Sequence, residues 1–311
     1  MTEYHPPSLS PLKDKVCVIT GGASGMAADL VRLCHSVGAH VFFGDIIVPA
    51  GEAVEAELKA LGRTNHARFV PFDAASYKDN LHLFDVAFQT CGRIDHAVSA
   101  AGVTEMGDLT DPGLTLETVR EEPPAKLMKV LDIDLTGPLY FSRVASVYLR
   151  QPALNDKSST AAADKSLTLV SSIAGITEAP GLPVYSAAKH GVVGLMRSLR
   201  ITLMKEPFGR IRTNAILPWM TKTRMVKGVE KGWAEAGLPT NEPMDVAKIM
   251  AGVMADGESN GFSLFVGGGR AFETEAGYDR TQPQWFGEMT EVWLKGQEVL
   301  GSGNNWQAKP S

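Results

Sequence analysis

Lys15-Val-Cys-Val-Ile-Thr20 runs directly into Gly21-Gly22-Ala23-Ser24-Gly25-Met26-Ala27. The first segment is apolar at successive positions, not at alternate ones. That predicts a strand covered on both faces, as in a parallel sheet. The glycines after it permit a tight turn and close backbone approach to a pyrophosphate. Helical spacing sets in from residue 25, so the turn opens a helix whose free N–H groups and positive dipole end favour an anion. Strand, glycine turn and helix in this order make the cluster informative. Without that context the same residues are an ordinary strand-to-helix turn.

The same alternation continues along the chain. Apolar runs at 40–45, 67–73, 94–99, 167–171, 211–217 and 262–266 are interleaved with helically spaced segments at 25–38, 49–62, 76–91, 125–150, 184–205 and 243–256. This predicts an α/β protein with a single doubly wound (Rossmann) domain, a seven-stranded parallel sheet carrying helices on both faces. Residues 1–11 read as a flexible N-terminal tail, 12–270 as the domain, and 151–166 as a polar surface insertion. Residues 271–311 read as a C-terminal extension with an amphipathic helix, on which Trp285, Met289, Val292 and Trp293 share a face. That face either packs on the domain or serves as a lid or subunit contact.

Composition narrows the function classes. In 311 residues, 44% hydrophobic and 21% charged exclude wholesale disorder. With 35 acids against 30 bases the net charge is -5, so no basic field collects nucleic-acid phosphates. No apolar run is long enough for a membrane-spanning helix, and the start lacks the apolar core of a signal peptide. Three cysteines, at 17, 34 and 91, fit neither a zinc spacing nor a disulfide framework. They read as small core residues in a reducing, cytoplasmic compartment, and no metal is expected.

The second apolar run ends at Asp45, twenty residues beyond Gly25. A carboxylate there accepts from both hydroxyls of an adenosine ribose and repels a 2′-phosphate. No Arg or Lys stands in the glycine turn or just after Asp45, where Ile46 and Ile47 follow. NAD is therefore expected over NADP. Asp73 ends the third run, placed either to meet the adenine edge or to cap the next helix.

The fifth run delivers Ser171-Ser172, and thirteen residues later come Tyr185-Ser-Ala-Ala-Lys189. Tyr185 and Lys189 are i and i+4, on one helical face. A phenol ordinarily titrates near ~10 and is a poor base at neutral pH. An adjacent ammonium favours phenolate, so the pair suits proton exchange with a substrate hydroxyl or carbonyl. Ser172 is placed to hold the substrate oxygen. A Tyr-x-x-x-Lys pair alone is also a common helix-surface pair; the joint arrangement with the glycine turn, the acid and the serine makes it specific.

Together these motifs resemble the short-chain dehydrogenase/reductase family over roughly residues 12–270, and within it the NAD-dependent alcohol dehydrogenases of fungal secondary metabolism and of the hydroxyprostaglandin type. The resemblance implies Ser172, Tyr185 and Lys189 as the catalytic residues. It implies cofactor contacts at Gly21, Ala23, Ser24, Gly25 and Met26, at Asp45, Ile46, Asp73 and Ala74, and at Ala100, Ala101 and Gly102. Tyr185 and Lys189 join that set, as do Pro218, Thr221 and Thr223, with Thr223 bonding the carboxamide. It also implies a homodimer or homotetramer built through the helices at 125–150 and 184–205.

Four positions depart from the family pattern. Ala27 replaces the third glycine of the turn. Ser99-Ala100-Ala101-Gly102 stands for Asn-Asn-Ala-Gly, losing amides that tie the sheet to the next helix. Trp219 follows Pro218 where the family has glycine. Asp134 stands for the asparagine that holds a proton-relaying water, which implies a relay with an altered pH profile unless Asp134 faces elsewhere; Asp132 lies two residues earlier.

Ile173, Leu182, Trp219 and Met220 are expected to contact substrate. Val103, Met106, Pro180, Met225, Val226 and Trp233 are further apolar candidates, with Glu105 and Glu178 as charged exceptions. The last three apolar ones are equally core or subunit contacts. Residues 223–240 have the composition of a mobile lid. The expected substrate is a hydrophobic small-molecule alcohol or ketone. The alternative is a non-redox dehydratase, cyclase or isomerase using Tyr185 and Asp134; a non-catalytic NAD-binding protein has no need of all three reactive residues.

Overall fold

The computed structural model describes residues 2–152 and 164–300. Most of the expected 151–166 insertion lies outside the described residues. The elements, in chain order, are β1 (Thr2–Tyr4), β2 (Val16–Thr20), α1 (Gly25–Ser36), β3 (His40–Asp45), α2 (Val48–Ala60), β4 (Ala67–Pro71), α3 (Tyr77–Cys91) and β5 (His96–Ser99). There follow α4 (Ala125–Leu131), α5 (Gly137–Tyr148), β6 (Lys165–Val170), α6 (Pro183–Thr202), β7 (Ile211–Pro218), α7 (Glu230–Glu235) and α8 (Pro243–Ala255). The chain closes with β8 (Ser263–Gly267), β9 (Arg270–Glu273), α9 (Glu275–Phe286) and α10 (Thr290–Leu300).

The sheet has nine strands in the order β1-β9-β8-β7-β6-β5-β2-β3-β4. Its seven parallel strands, β2 to β8, are those expected. Successive residues point to opposite faces: Cys17, Ile19 and Phe43 pack beneath α1, α2 and α8, while Val16, Val18 and Phe42 pack beneath α3, α5 and α6. Two apolar layers thus cover both faces, which is why the strands are apolar throughout. Chain order reverses between β2 and β5, and a crevice opens there beyond the carboxyl ends of the strands.

The ends of the chain differ from expectation. Thr2–Tyr4 is no free tail: it pairs antiparallel with β9, Glu3 forms an ion pair with Arg270 at 2.6 Å, and Tyr4 meets Phe262 edge-on at 6.3 Å. A three-residue strand carries no periodicity of its own, and its partner lies at the far end of the chain. With β9 the sheet also continues past 270. In the extension, Trp285 and Val292 are exposed, while Trp293 stacks on Phe286 at 5.1 Å. Among the described residues, Trp285, Met289 and Val292 on that face are left exposed.

The expected 125–150 helix is interrupted by one π-helical turn, Asp132–Thr136, between α4 and α5. Pro138 has no N–H for the carbonyl of Asp134, four residues back, and its ring crowds that carbonyl, so the turn widens. Asp134 sits in this turn, fully buried. Among the described residues no helix is long and apolar enough to cross a membrane.

Candidate active site

The glycine turn lies against the loop that follows β5. Gly21 has φ 74°, and a Cβ there would stand 2.9 Å from the Ala101 backbone. Two amides of that loop, Ala100 N–H and Ala101 N–H, donate to Thr20 Oγ1 at 3.0 and 3.1 Å. Thr20 thus ties the loop after β5 to the end of β2. Ser24 precedes α1 in extended conformation without a side-chain cap, leaving the amides of the first turn available to a ligand.

Asp45, at the end of β3, is almost fully buried. Its Oδ2 accepts Ala23 N–H at 3.0 Å and its Oδ1 accepts Ile47 N–H at 2.9 Å. It therefore braces the glycine turn as well as facing the crevice. Asp73 Oδ1 accepts Ala75 N–H at 3.0 Å in the turn before α3, whose cap is Ser76, its hydroxyl accepting Asp79 N–H at 3.2 Å, so Asp73 lines the cavity but does not cap the helix.

These residues line a cavity of about 510 Å³: Gly21, Ser24, Gly25 and Met26 on the turn, Asp45, Ile46, Asp73 and Ala74 at the adjacent strand ends, and Ala100, Ala101 and Gly102 on the β5 loop. A nicotinamide dinucleotide fits this set: a side-chain-free cradle, free helix amides and an acid beside the ribose position. Ala23 lines a second cavity of about 920 Å³ with Met220, Lys222 and Lys227; Thr223 and Arg224 line both. Thr223 lies on the glycine turn, its methyl 3.1 Å from where a Gly25 Cβ would stand. Pro218 and Thr221 line neither. Pro218 pairs with Val266 in the sheet, and the Thr221 hydroxyl donates to Trp219 O at 2.9 Å and accepts from Asn241 Nδ2 at 3.2 Å.

Ser172, Tyr185, Lys189 and Asp134 come from the β6 terminus, the first turns of α6 and the π turn. Ser172 Oγ accepts Ala174 N–H at 3.2 Å. The neighbouring Ser171 donates to Lys189 O at 2.8 Å, fastening the strand end to α6. Lys189 Nζ lies 5.3 Å from the Tyr185 ring centroid and 3.2 Å from Asp134 Oδ2. Asp134 thus faces Lys189, as its place in the motif implied. Its Oδ1 accepts Val103 N–H at 2.8 Å, while Oδ2 has the ion pair but no hydrogen bond. Burial pushes the Asp134 carboxyl above the usual range, and the Lys189 ammonium offsets this only in part. Burial acts against the Lys189 ammonium too, but the Asp134 and Tyr185 charges outweigh it and hold Lys189 above its ordinary value. Ser172, Tyr185, Lys189 and Asp134 themselves line neither cavity, but Gly102, which lines the smaller one, stands against the pair: a Cβ there would be 3.3 Å from both Asp134 Oδ1 and Lys189 Nζ.

Glu105, read only as a charged exception in a pocket wall, has a more definite place. Its Oε2 accepts Tyr185 N–H at 2.7 Å, and its Oε1 is buried without a partner. Tyr185 is the third residue of α6, after Pro183, so Glu105 satisfies one of the free amides at that helix start. No local spacing signals this, because the two residues are 80 apart.

On the expected substrate side, Ile173 follows Ser172 in a short helical turn and Leu182 precedes α6, both half-buried. Trp219 meets Trp233 edge-on at 4.9 Å and Phe265 at 6.1 Å. Its indole supports the 223–240 segment and lines neither cavity, packing instead against these two aromatic rings. Val103, Met106, Ile133 and Met225 give the smaller cavity its apolar side.

Residues 15–233 match the family model for short chain dehydrogenase. The protein belongs to the short-chain dehydrogenase/reductase family. It is similar to the short-chain dehydrogenase/reductase ascJ of Acremonium egyptiacum, 32% identical over 279 residues, covering 88% of this chain and 86% of that one. It is also similar to a 3-alpha-(or 20-beta)-hydroxysteroid dehydrogenase of Mycobacterium tuberculosis, 30% identical over 258 residues, covering 82% and 88%. A solved dehydrogenase/reductase from Sinorhizobium meliloti shares the fold, with a TM-score of 0.67 at 21% identity over 84% of this chain and 97% of that one. As a member of the short-chain dehydrogenase/reductase family, the chain is an enzyme acting on CH–OH groups, in alcohol/ketone oxidoreduction, and the family usually binds a nicotinamide cofactor.

Proposed function

We propose that this enzyme interconverts a secondary alcohol and a ketone on a hydrophobic small molecule, with NAD as cofactor and Tyr185 as general acid/base. The observation that carries the reading is the buried Asp134–Lys189 pair behind half-buried Tyr185, with the ammonium 5.3 Å from the phenol ring and 3.2 Å from the carboxylate. When bound, the nicotinamide supplies the hydride exchange. Lys189 keeps positive charge at the phenol, which eases proton movement at Tyr185 Oη. Ser172 holds the substrate oxygen. Asp134 fixes Lys189 in its charged form.

Asp45 supports NAD over NADP. Its carboxylate faces the crevice with Ile46 and Ile47 after it, so a 2′-phosphate would meet negative charge without a cation on that strand end. The apolar side of the cavity supports a hydrophobic substrate, in keeping with a steroid dehydrogenase among its relatives. The same reading includes a homodimer or homotetramer through α4, α5 and α6, where Met128, Leu139, Val147 and Ile201 are exposed. It also includes a cytoplasmic setting, where three free cysteines persist as thiols.

NADH absorbance during turnover of a panel of hydrophobic secondary alcohols and ketones tests the reading. Tyr185→Phe is expected to lower the rate by at least ~10²-fold with NAD still bound. Product without a net change in NADH would instead favour a non-redox reaction using Tyr185 and Asp134.

A further inference from the structure

We propose that His40, His66 and Cys91 form a site for one transition-metal dication of the zinc class, at the end of the sheet opposite the glycine turn. His40 opens β3, His66 immediately precedes β4, and Cys91 closes α3. The starts of parallel strands face away from the carboxyl ends that form the crevice, so this cluster stands apart from the redox site.

One donor atom from each side chain lies within 4.8 Å of the other two. The two imidazole rings are 5.0 Å apart, and His66 N–H donates to His40 Nδ1 at 3.1 Å. An unprotonated lone pair of His40 is therefore directed toward His66, where a cation would take it. Coordination replaces that hydrogen bond, and the released N–H is at an exposed position where water satisfies it. Cys91 is held at the end of α3 by Gly92, whose left-handed backbone, φ 70°, directs its N–H to Phe88 O at 2.7 Å. Unlike Cys17 and Cys34, Cys91 is only half-buried.

The dication replaces the thiol proton, forming one metal–sulfur bond and releasing one proton to solvent. Two imidazoles and a thiolate form a borderline-soft set that suits zinc or cobalt and not magnesium or calcium. Exposed His66 gives access, and a fourth position is left for water. The spacing 40, 66, 91 matches no short zinc motif, because three separate elements supply the donors. Such an ion clips β3, the lead into β4 and α3 together, raising stability without touching proton transfer.

The test is titration of the full-length, chelator-treated protein with cobalt(II). One equivalent is expected to raise a thiolate-to-cobalt charge-transfer band, lost on adding zinc, with a dissociation constant on the order of 1 μM or tighter. Cys91→Ser is expected to abolish the band and exposed His66→Ala to weaken binding by at least ~10-fold. Zinc is expected to raise the thermal midpoint of wild type, less that of His66→Ala and not that of Cys91→Ser, with circular dichroism as the check that each variant is folded. Should Cys91→Ser not fold, His66→Ala decides alone. No band at one equivalent, a band retained at full affinity in the folded variants, or binding only at millimolar cobalt overturns the site.

Discussion

Two buried aspartate–lysine pairs stand at opposite ends of the sheet, and they are built differently. Asp95, just before β5, is fully buried and fully satisfied. Its Oδ1 accepts from Lys165 at 2.8 Å and from Arg93 at 2.7 and 3.1 Å, and its Oδ2 accepts Val16 N–H at 2.9 Å. Although burial opposes its charge, these partners hold the Asp95 carboxyl down at about 2. Asp134 is equally buried, yet has one backbone donor, one ammonium at 3.2 Å and an oxygen without a hydrogen bond, and its carboxyl is pushed up. Saturated partners make a lock joining β2, β5 and β6. An unsaturated pair beside a cavity makes a group whose charge can still respond to what binds.

Breaking the lock is expected to give the largest effect on stability. Asp95→Asn leaves Arg93 and Lys165 without their carboxylate and should cost about 3–5 kcal/mol in urea unfolding. An equal loss in Asp134→Asn would erase the contrast between the two pairs.

The lock should also show in acid. The Asp95 carboxyl lies below its unfolded value near ~3.9, so its contribution is fully present above that pH and is lost as pH falls through about 2. The amount is about 2–3 kcal/mol. Unfolding free energy measured between pH ~5 and ~2 should fall by that much more in wild type than in Asp95→Asn. The raised Asp134 has the opposite sign: its charged form is disfavoured on folding, so it adds nothing to this acid loss.

At the Asp134 end the smaller energies should appear as pH dependence. Asp134→Asn removes a negative charge beside Lys189, and the acidic limb of the pH–rate curve for alcohol oxidation should move down by about one unit, ~1.4 kcal/mol. An unmoved curve would mean that Asp134 only braces the Val103 loop. Smallest of all, Glu105→Ala should reduce kcat several-fold and stability by about 1 kcal/mol through loss of the cap on Tyr185 N–H. Glu105→Gln, which keeps an acceptor, should restore most of both. Rescue that fails in kcat but succeeds in stability would assign the Glu105 charge itself to the reaction.

What was readable beforehand divides along the same line. The glycine turn, the parallel strands and the i, i+4 placement of Tyr185 and Lys189 depend on near neighbours in the chain, and each was legible from residue type and spacing. The contact of Asp134 with Lys189 followed from motif correspondence. The bracing groups were not legible. Thr20 reaches residues 80 and 81 positions away, and Lys165 meets Asp95 across 70. Trp219 was placed against substrate because its position in the motif says nothing of Trp233 and Phe265. The N-terminal strand carries no signal of its own because its partner, β9, lies at the far end of the chain.

Spacing along the chain, then, determined the strand–helix alternation, the glycine turn and the shared face of Tyr185 and Lys189, since backbone periodicity dictates which side chains share a face. Only the folded chain decided which charges are saturated, which amide steadies the first turn of α6, and that His40, His66 and Cys91 converge. Those depend on where distant segments meet, and burial sets their energies only after the sheet has brought the segments together.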